Sequence, residues 1–230
     1  MFGLDAWILH LSGGATLLAV AGVAVLLGLR HATDPDHLAA VTTLIASGRE
    51  RTTRLAARLG LSWGLGHAAS LFAFGLPIVL FKAYLPEAVQ QGAETAVGVL
   101  IIGLAVWLLV RWRRGQFQVH PHPHVHTAGA RGPLQAFGIG LVHGMGGSAG
   151  VGVLLLAAIH DRRVAVVALA LFALCTAISM AALSTGFGLT IANAAATRSF
   201  GRIAPALGGL SLLFGLWYAL GALQIAPYFL

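Results

Sequence analysis

Apolar runs of membrane-spanning length recur along this chain, and they restrict it to folds whose helices cross a bilayer. One helical span needs about 20 predominantly apolar residues, and an ordinary soluble domain does not contain several such runs. The sequence places six spans at residues 12–47, 57–81, 92–110, 133–159, 164–190 and 203–223. We therefore predict an all-α integral membrane protein with about six transmembrane helices.

Positive charge is concentrated in the connections on one side of these spans. Residues 48–56, 111–132 and 191–202 hold nine arginines, whereas the opposite connections hold three basic residues, Lys82, Arg162 and Arg163. The positive-inside rule places the arginine-rich side in the cytoplasm and both termini outside, in a bacterial or archaeal cell (inner) membrane. The net charge of +7 follows from this topology, so no nucleic-acid partner is expected.

One segment interrupts the apolar pattern with ionisable residues. Residues 30–37 read RHATDPDH, although only 9% of the whole chain is charged. A central Asp or Arg in a span costs about 2.5–3.5 kcal/mol on insertion scales, so this segment indicates a functional site. Its imidazoles and carboxylates suit Ni²⁺, Co²⁺ or Zn²⁺ better than Ca²⁺ or Mg²⁺. The alternative is a buried ion-pair network that holds a helix kink. We expect Arg30 to pair with Asp34 or another acidic neighbour.

Pro35 predicts a break in the helix within this segment. It has no N–H to donate to the carbonyl of His31, and it disfavours helical geometry in the residue before it. On an unbroken helix Asp36 would point away from the face that carries the other ligands, whereas a break brings it round. We therefore predict four metal-ligating residues here: His31, Asp34, Asp36 and His37.

The two halves of the chain resemble each other. GLRH at 28–31 precedes the polar interruption of the first long segment, and GLVH at 140–143 precedes a glycine-rich interruption of the second. Each half continues with two more spans, so the second half enters the membrane from the opposite side. We predict inverted three-helix repeats with kinked or broken first helices at 1–110 and 133–230, joined by a cytoplasmic linker at 111–132. Chance recurrence of Gly-x-x-His is the alternative.

Further histidines extend the candidate metal-binding set. His143 occupies the position equivalent to His31 in the proposed repeat, and His67 lies in the second span. A hydrogen bond to a neighbouring helix is the alternative role for His67. The linker carries four histidines that alternate with other residues, and short histidine-rich tracts are typical of metal binding. We predict secondary loop metal binding by His120, His122, His124 and His126, with a flexible linker as the alternative.

RHATDPDH resembles the hallmark of the nickel/cobalt transporter family, an intramembrane RHAxDADH-type element, with Pro35 in place of an alanine. LGHA at 65–68 is similar to the family's LGHS element. The resemblance implies a permease for Ni²⁺ or Co²⁺ in which the histidines and aspartates of the first element are central to metal recognition, and it supports His67. Typical members have more spans and a late acidic signature, which HGMGGS at 143–148 lacks. The chain is more similar to the compact branch associated with urease nickel supply.

Together these features predict a permease that moves Ni²⁺ and/or Co²⁺ through a His/Asp site near the bilayer midplane. The metal is the transported substrate, no organic cofactor is expected, and the chain has no Walker motif for ATP hydrolysis. The alternatives are an intramembrane metalloenzyme, or a membrane metal sensor or scaffold that uses the histidine-rich loop. The expected partners are a divalent transition-metal ion and the lipid bilayer. A cytoplasmic metal acceptor and a homo-oligomer are compatible with the pattern.

Overall fold

The computed structural model describes residues 4–46, 53–82, 86–115, 132–146, 153–154, 156–192 and 194–227. This part of the chain is helical and contains no strand. Its helices are α1 (Leu4–His31), α2 (Pro35–Ala46), α3 (Thr53–Phe81), α4 (Glu87–Arg113), α5 (Pro133–His143), α6 (Arg162–Ala192) and α7 (Ala194–Ala222). Residues 153–154 and 156–157 are also helical. The prediction of an all-α protein is confirmed for these residues.

Four of these helices are long and apolar enough to cross a membrane. The apolar stretches are Arg54–Phe81 in α3, Glu87–Arg113 in α4, Arg162–Thr190 in α6 and Gly201–Ala222 in α7. They coincide with four of the six predicted spans. The segments 12–47 and 133–159 are instead divided into shorter helical pieces, among which Leu18–His31 is an apolar stretch of α1.

The first of these divided segments is broken at Pro35, as the sequence predicts. α1 ends at His31 and α2 begins at Pro35. In the turn between them the N–H of Thr33 donates to the carbonyl of Arg30 at 2.9 Å, and the N–H of Asp34 donates to that of His31 at 3.1 Å. Proline is well suited to the first helical position because its missing N–H has no intrahelical partner there. The break therefore places two helix ends at the ionisable segment.

Glycines bring α3 and α5 into backbone contact. A β-carbon on Gly66 would overlap the carbonyl oxygen of Phe137, and one on Gly140 would overlap the carbonyl oxygen of Trp63. Small residues at helix contacts are the usual means by which membrane helices approach closely. The same contact continues at Gly144, where a β-carbon would meet the carbonyl of His67. α5 is therefore held along the middle of α3, next to His67.

Apolar side chains are divided between a buried core and the outer surface of the bundle. One buried cluster joins five helices through Leu44, Trp63, Leu104, Met180 and Ala204. Other large apolar side chains point outward, including Leu18, Leu26, Val167, Leu174, Leu210 and Leu213. These outward-facing apolar side chains suit contact with lipid, in which the helices satisfy their own backbone hydrogen bonds.

Replacing Gly140 by alanine is expected to destabilise the protein by about 1–3 kcal/mol, because the added carbon overpacks the α3–α5 contact. Gly138 is the matched control, since a β-carbon there meets nothing within 4 Å. Thermal unfolding in detergent should show a lower melting temperature for Gly140→Ala and little change for Gly138→Ala. Equal melting temperatures would contradict the close contact.

Candidate metal centre

Six of the residues predicted from the sequence lie together where α1, α2, α3 and α5 meet. All six are buried, and the most exposed is Asp34 at 7%. They are His31, Asp34, Asp36, His37, His67 and His143. The four predicted loop histidines, His120, His122, His124 and His126, lie outside the described residues.

Three helix ends and the middle of a fourth helix position these side chains. His31 is the last residue of α1, Asp36 and His37 lie in the first turn of α2, and His143 is the last residue of α5. His67 lies halfway along α3. The 3.6-residue period of side-chain directions is interrupted where a helix ends. Side chains that would point apart on a continuous helix therefore converge here.

Three imidazoles form the centre of this group. Nε2 of His31 lies 3.2 Å from Nε2 of His67. The ring centre of His37 lies 4.5 Å from that of His31 and 4.8 Å from that of His67. Each of the three offers one ligand atom, and these atoms all lie within 4.8 Å of one another. Metal–nitrogen bonds of about 2.0–2.1 Å place tetrahedral ligand atoms about 3.3 Å apart, so the rings are close to a ligating arrangement.

Each aspartate is hydrogen-bonded to the Nδ1 atom of one histidine. Asp34 Oδ2 lies 3.1 Å from Nδ1 of His31, and Asp36 Oδ1 lies 3.0 Å from Nδ1 of His37. Because a carboxylate only accepts hydrogen bonds, Nδ1 of each ring carries the hydrogen, and in the neutral imidazole Nε2 then carries a lone pair. This carboxylate–histidine arrangement orients many metal-ligating imidazoles. Nε2 of His37 is buried and has no hydrogen-bond partner among the described residues.

His143 connects the second half of the chain to the first. Its Nε2 donates to Oδ2 of Asp36 at 3.3 Å, so Asp36 accepts from both His37 and His143. These three residues form a second group whose possible ligand atoms lie within 4.8 Å of one another. Arg30 approaches Asp34 from outside, with 3.7 Å between its guanidinium and Oδ1, as expected from the sequence.

Trp63 closes one side of the cluster, a role that the sequence analysis missed. Its ring centre lies 5.9 Å from that of His37 and 5.7 Å from that of His143, to which it is nearly perpendicular. It is 1% exposed. The available signal was its spacing, since Trp63 lies four residues before His67 and shares its helix face.

Glu94 is a second residue that the sequence analysis missed. It is buried in α4, and the side-chain amide of Gln90 donates to its Oε1 at 3.0 Å. A β-carbon on Gly146 would lie 2.9 Å from the backbone nitrogen of Glu94, which places this residue beside the chain that follows His143. Glu94 could have been recognised from the sequence because it is an acidic residue within a predicted span, as are the aspartates of the RHATDPDH segment.

Buried imidazoles and carboxylates inside a bundle of membrane-spanning helices define a membrane protein for transition-metal ions. Residues 17–139 match the NicO family, described as High-affinity nickel-transport protein, and the chain belongs to this family. Its members are transporters rather than enzymes, so the predictions of a multi-pass membrane protein and of nickel or cobalt as transported substrate are confirmed.

Two kinds of relatives are similar to this chain over different lengths. It is 25% identical to Urease accessory protein UreH of Bacillus sp. (strain TB-90) over 209 residues, which are 88% of this chain and 91% of that protein. It is 30% identical to Nickel/cobalt efflux system RcnA of Salmonella arizonae over 96 residues, which are 41% of this chain and 34% of that protein. RcnA of Shigella sonnei is 30% identical over 95 residues, which are 40% of this chain and 34% of that protein. No solved structure matches this chain.

The Asp36–His143 hydrogen bond is expected to couple α2 to α5. A double-mutant cycle with Asp36→Ala and His143→Ala should give a coupling free energy of about 1–3 kcal/mol, because the bond involves a charged group in a buried setting. The measurement is the free energy of unfolding of the four proteins in detergent with a metal chelator. Strictly additive effects would show that the two side chains do not interact.

Proposed function

We propose that this chain carries Ni²⁺ and/or Co²⁺ across a bacterial or archaeal cell (inner) membrane through its buried His/Asp cluster near the bilayer midplane. The observation that carries the proposal is the convergence of His31, His37 and His67, whose ligand atoms lie within 4.8 Å of one another while two of the rings are held at Nδ1 by carboxylates. Neutral imidazole is a preferred ligand for nickel and cobalt. A metal ion bound there would replace the hydrogen bond between His31 and His67.

The aspartates supply orientation and charge in this proposal. Asp34 and Asp36 fix the tautomers of His31 and His37, and their two negative charges offset those of a dication. Such compensation is needed because an isolated charge is strongly disfavoured in a buried, poorly polarisable environment. Arg30 offsets part of the negative charge when the cluster is empty, and its side chain is 74% exposed.

Broken helices at equivalent places support a transport mechanism in which the cluster faces each side of the membrane in turn. α1 ends at His31 and α5 ends at His143, and both residues belong to the cluster. Interrupted helices of inverted repeats commonly form midplane sites in transporters, where one repeat moves against the other. We assign the repeats to 1–110 and 133–230, with about six spans in all.

The remaining assignments follow from charge and composition. The arginine-rich connections face the cytoplasm and both termini lie outside. The linker at 111–132 then lies at the cytoplasmic mouth, where its histidines form a secondary metal-binding segment that exchanges metal with a cytoplasmic acceptor. RcnA is named as a nickel/cobalt efflux system, which supports including both metals as substrates.

Single substitutions in the cluster should separate ligands from orienting residues. His31→Ala, His37→Ala and His67→Ala each remove a metal–nitrogen bond, so nickel uptake into proteoliposomes should be lost. Asp34→Asn and Asp36→Asn keep a hydrogen-bond acceptor but remove the charge, and they should weaken nickel binding by about 10–100-fold. His160→Ala, at an exposed position outside the cluster, is the control. Wild-type uptake by His37→Ala would refute the assignment.

Fluorescence of Trp63 should report occupation of the cluster. A bound paramagnetic Ni²⁺ or Co²⁺ would lie close to the indole, whose ring is packed against His37 and His143, and should quench its emission. Trp63→Phe retains the aromatic packing and should lose the quenching, whereas Trp217→Phe, on α7, should retain it. Titration with Ni²⁺ in detergent measures the effect. Quenching that persists in Trp63→Phe would place the metal elsewhere.

A further inference from the structure

We infer that Glu94 is a further metal-binding residue: a carboxylate that holds the dication next to the His/Asp cluster, on the route towards the membrane face at which α4 begins. The inference rests on the proposed transport of metal through the cluster. It adds a residue outside both sequence elements that resemble the transporter family, and it gives the route a direction along α4.

The burial and charge of Glu94 call for a cationic partner. Glu94 is only 9% exposed, and the side-chain amide of Gln90 donates to its Oε1 at 3.0 Å. That donor is neutral, and no lysine or arginine among the described residues forms an ion pair with Glu94. A carboxylate within a membrane span is costly, and such residues usually mark ion pathways. A passing dication would compensate its charge.

Two helix contacts place Glu94 beside the cluster. The backbone at Gly146 lies against Glu94, and Gly146 follows His143 by three residues, in the turn after α5. From another direction, Ala39 of α2 packs against the buried group that contains Val97 of α4. Ala39 is three residues after Asp36, and Val97 is three residues after Glu94. Ala39 and Val97 thus belong to one packed group, in which α2 and α4 are in contact.

The two sides of the cluster differ chemically. The carbonyl of Trp63 lies against Gly140, three residues before His143, whereas Glu94 lies against Gly146, three residues after it. The two contacts therefore flank His143 along the chain. The indole of Trp63 packs against the ring of His143, and Glu94 lies beside the residues that follow it, so a dication that moves towards Glu94 meets a ligand.

A polar face of α4 continues this route to the surface. Glu87, Gln90, Gln91 and Glu94 are spaced i, i+3, i+4 and i+7 and share one helix face. Exposure decreases along this face, from exposed Glu87 and Gln90 through partly buried Gln91 to buried Glu94. Beyond Glu94 the same face becomes apolar and packs in the core with Val97. The polar face thus begins at the surface and ends at buried Glu94, beside the residues that follow His143.

The carboxylate of Glu94 and the three imidazoles of the cluster form two sites that differ in their affinity for the metal ion. A single carboxylate leaves the ion most of its water ligands and binds it weakly, whereas the imidazoles replace water by better donors. Conduction requires sites that attract the ion but also release it, which a weak site next to a strong one provides. Glu94 therefore governs how fast the ion reaches or leaves the cluster more than how tightly the cluster binds it.

The test compares Glu94→Gln with Glu87→Gln. Each substitution removes one charge from α4 and replaces a carboxylate by an amide of similar volume. Glu87, however, is exposed, and its Oε1 accepts a hydrogen bond from the side-chain amide of Gln224 at 3.0 Å. Initial rates of nickel uptake are measured in proteoliposomes, and equilibrium nickel binding is measured by titration calorimetry of the same proteins in detergent. For Glu94→Gln we expect an uptake rate about tenfold lower with the binding constant of the cluster nearly unchanged. Glu87→Gln should have a much smaller effect on the rate.

Several results would overturn the inference. A wild-type uptake rate in Glu94→Gln would do so, as would a loss of binding equal to that of His37→Ala, because Glu94 would then act within the cluster. Glu94→Asp keeps the carboxylate and should recover most of the rate. If Glu94→Asp and Glu94→Gln lose uptake equally and both unfold at lower temperature, the role of Glu94 is structural. Full uptake by His37→Ala would instead refute the proposed function.

Discussion

The burial of ionisable groups inside a membrane is the constraint on which the rest of this structure depends. A bilayer interior offers no water to hydrogen-bond a carboxylate or an imidazole, so each such group must find its partner within the protein. Here several of these groups bond to one another: Asp34 accepts from His31, and Asp36 accepts from His37 and His143. The cluster is therefore both the most polar part of the bundle and a well-connected part of it.

Bringing these groups together requires two unusual backbone features. α1 ends at His31 and Pro35 begins α2, so that Asp36 and His37 in the first turn of α2 both reach the cluster. Glycines at Gly66, Gly140 and Gly144 allow α5 to lie against α3 at a separation that larger residues would prevent. Neither feature binds metal, but both set the distances between the groups that we propose to do so. The arrangement of the polar side chains at the centre of the bundle thus depends on small residues where its helices are in contact.

The surroundings of the cluster give transport a structural asymmetry. Trp63 packs against two of the histidines on one side, where an ion would have to displace an indole. The polar face of α4 leads instead to Glu94, which lies beside the residues that follow His143. A transporter needs its site closed at one side while it is open at the other, and an aromatic and a carboxylate residue meet that need differently. Membership of the NicO family is consistent with this use of the bundle.

The sequence by itself determined the all-helical fold, the positions of four long apolar helices and the break at Pro35. These depend on local properties, namely apolar periodicity and the missing N–H of proline. It also identified the six residues that converge, because ionisable groups are rare within apolar spans. The inverted repeat and the loop histidines remain predictions, the latter outside the described residues.

Only the tertiary structure decided how these residues are used. The structure brings Asp34 and Asp36 against the Nδ1 atoms of His31 and His37, and it bonds Asp36 to His143 from the distant half of the chain. The positions of Trp63 and Glu94 likewise became visible only once α3, α4 and α5 were packed. The physical reason is that hydrophobicity and backbone preference act locally along the chain. Which ring nitrogen faces which oxygen depends instead on the distances between helices.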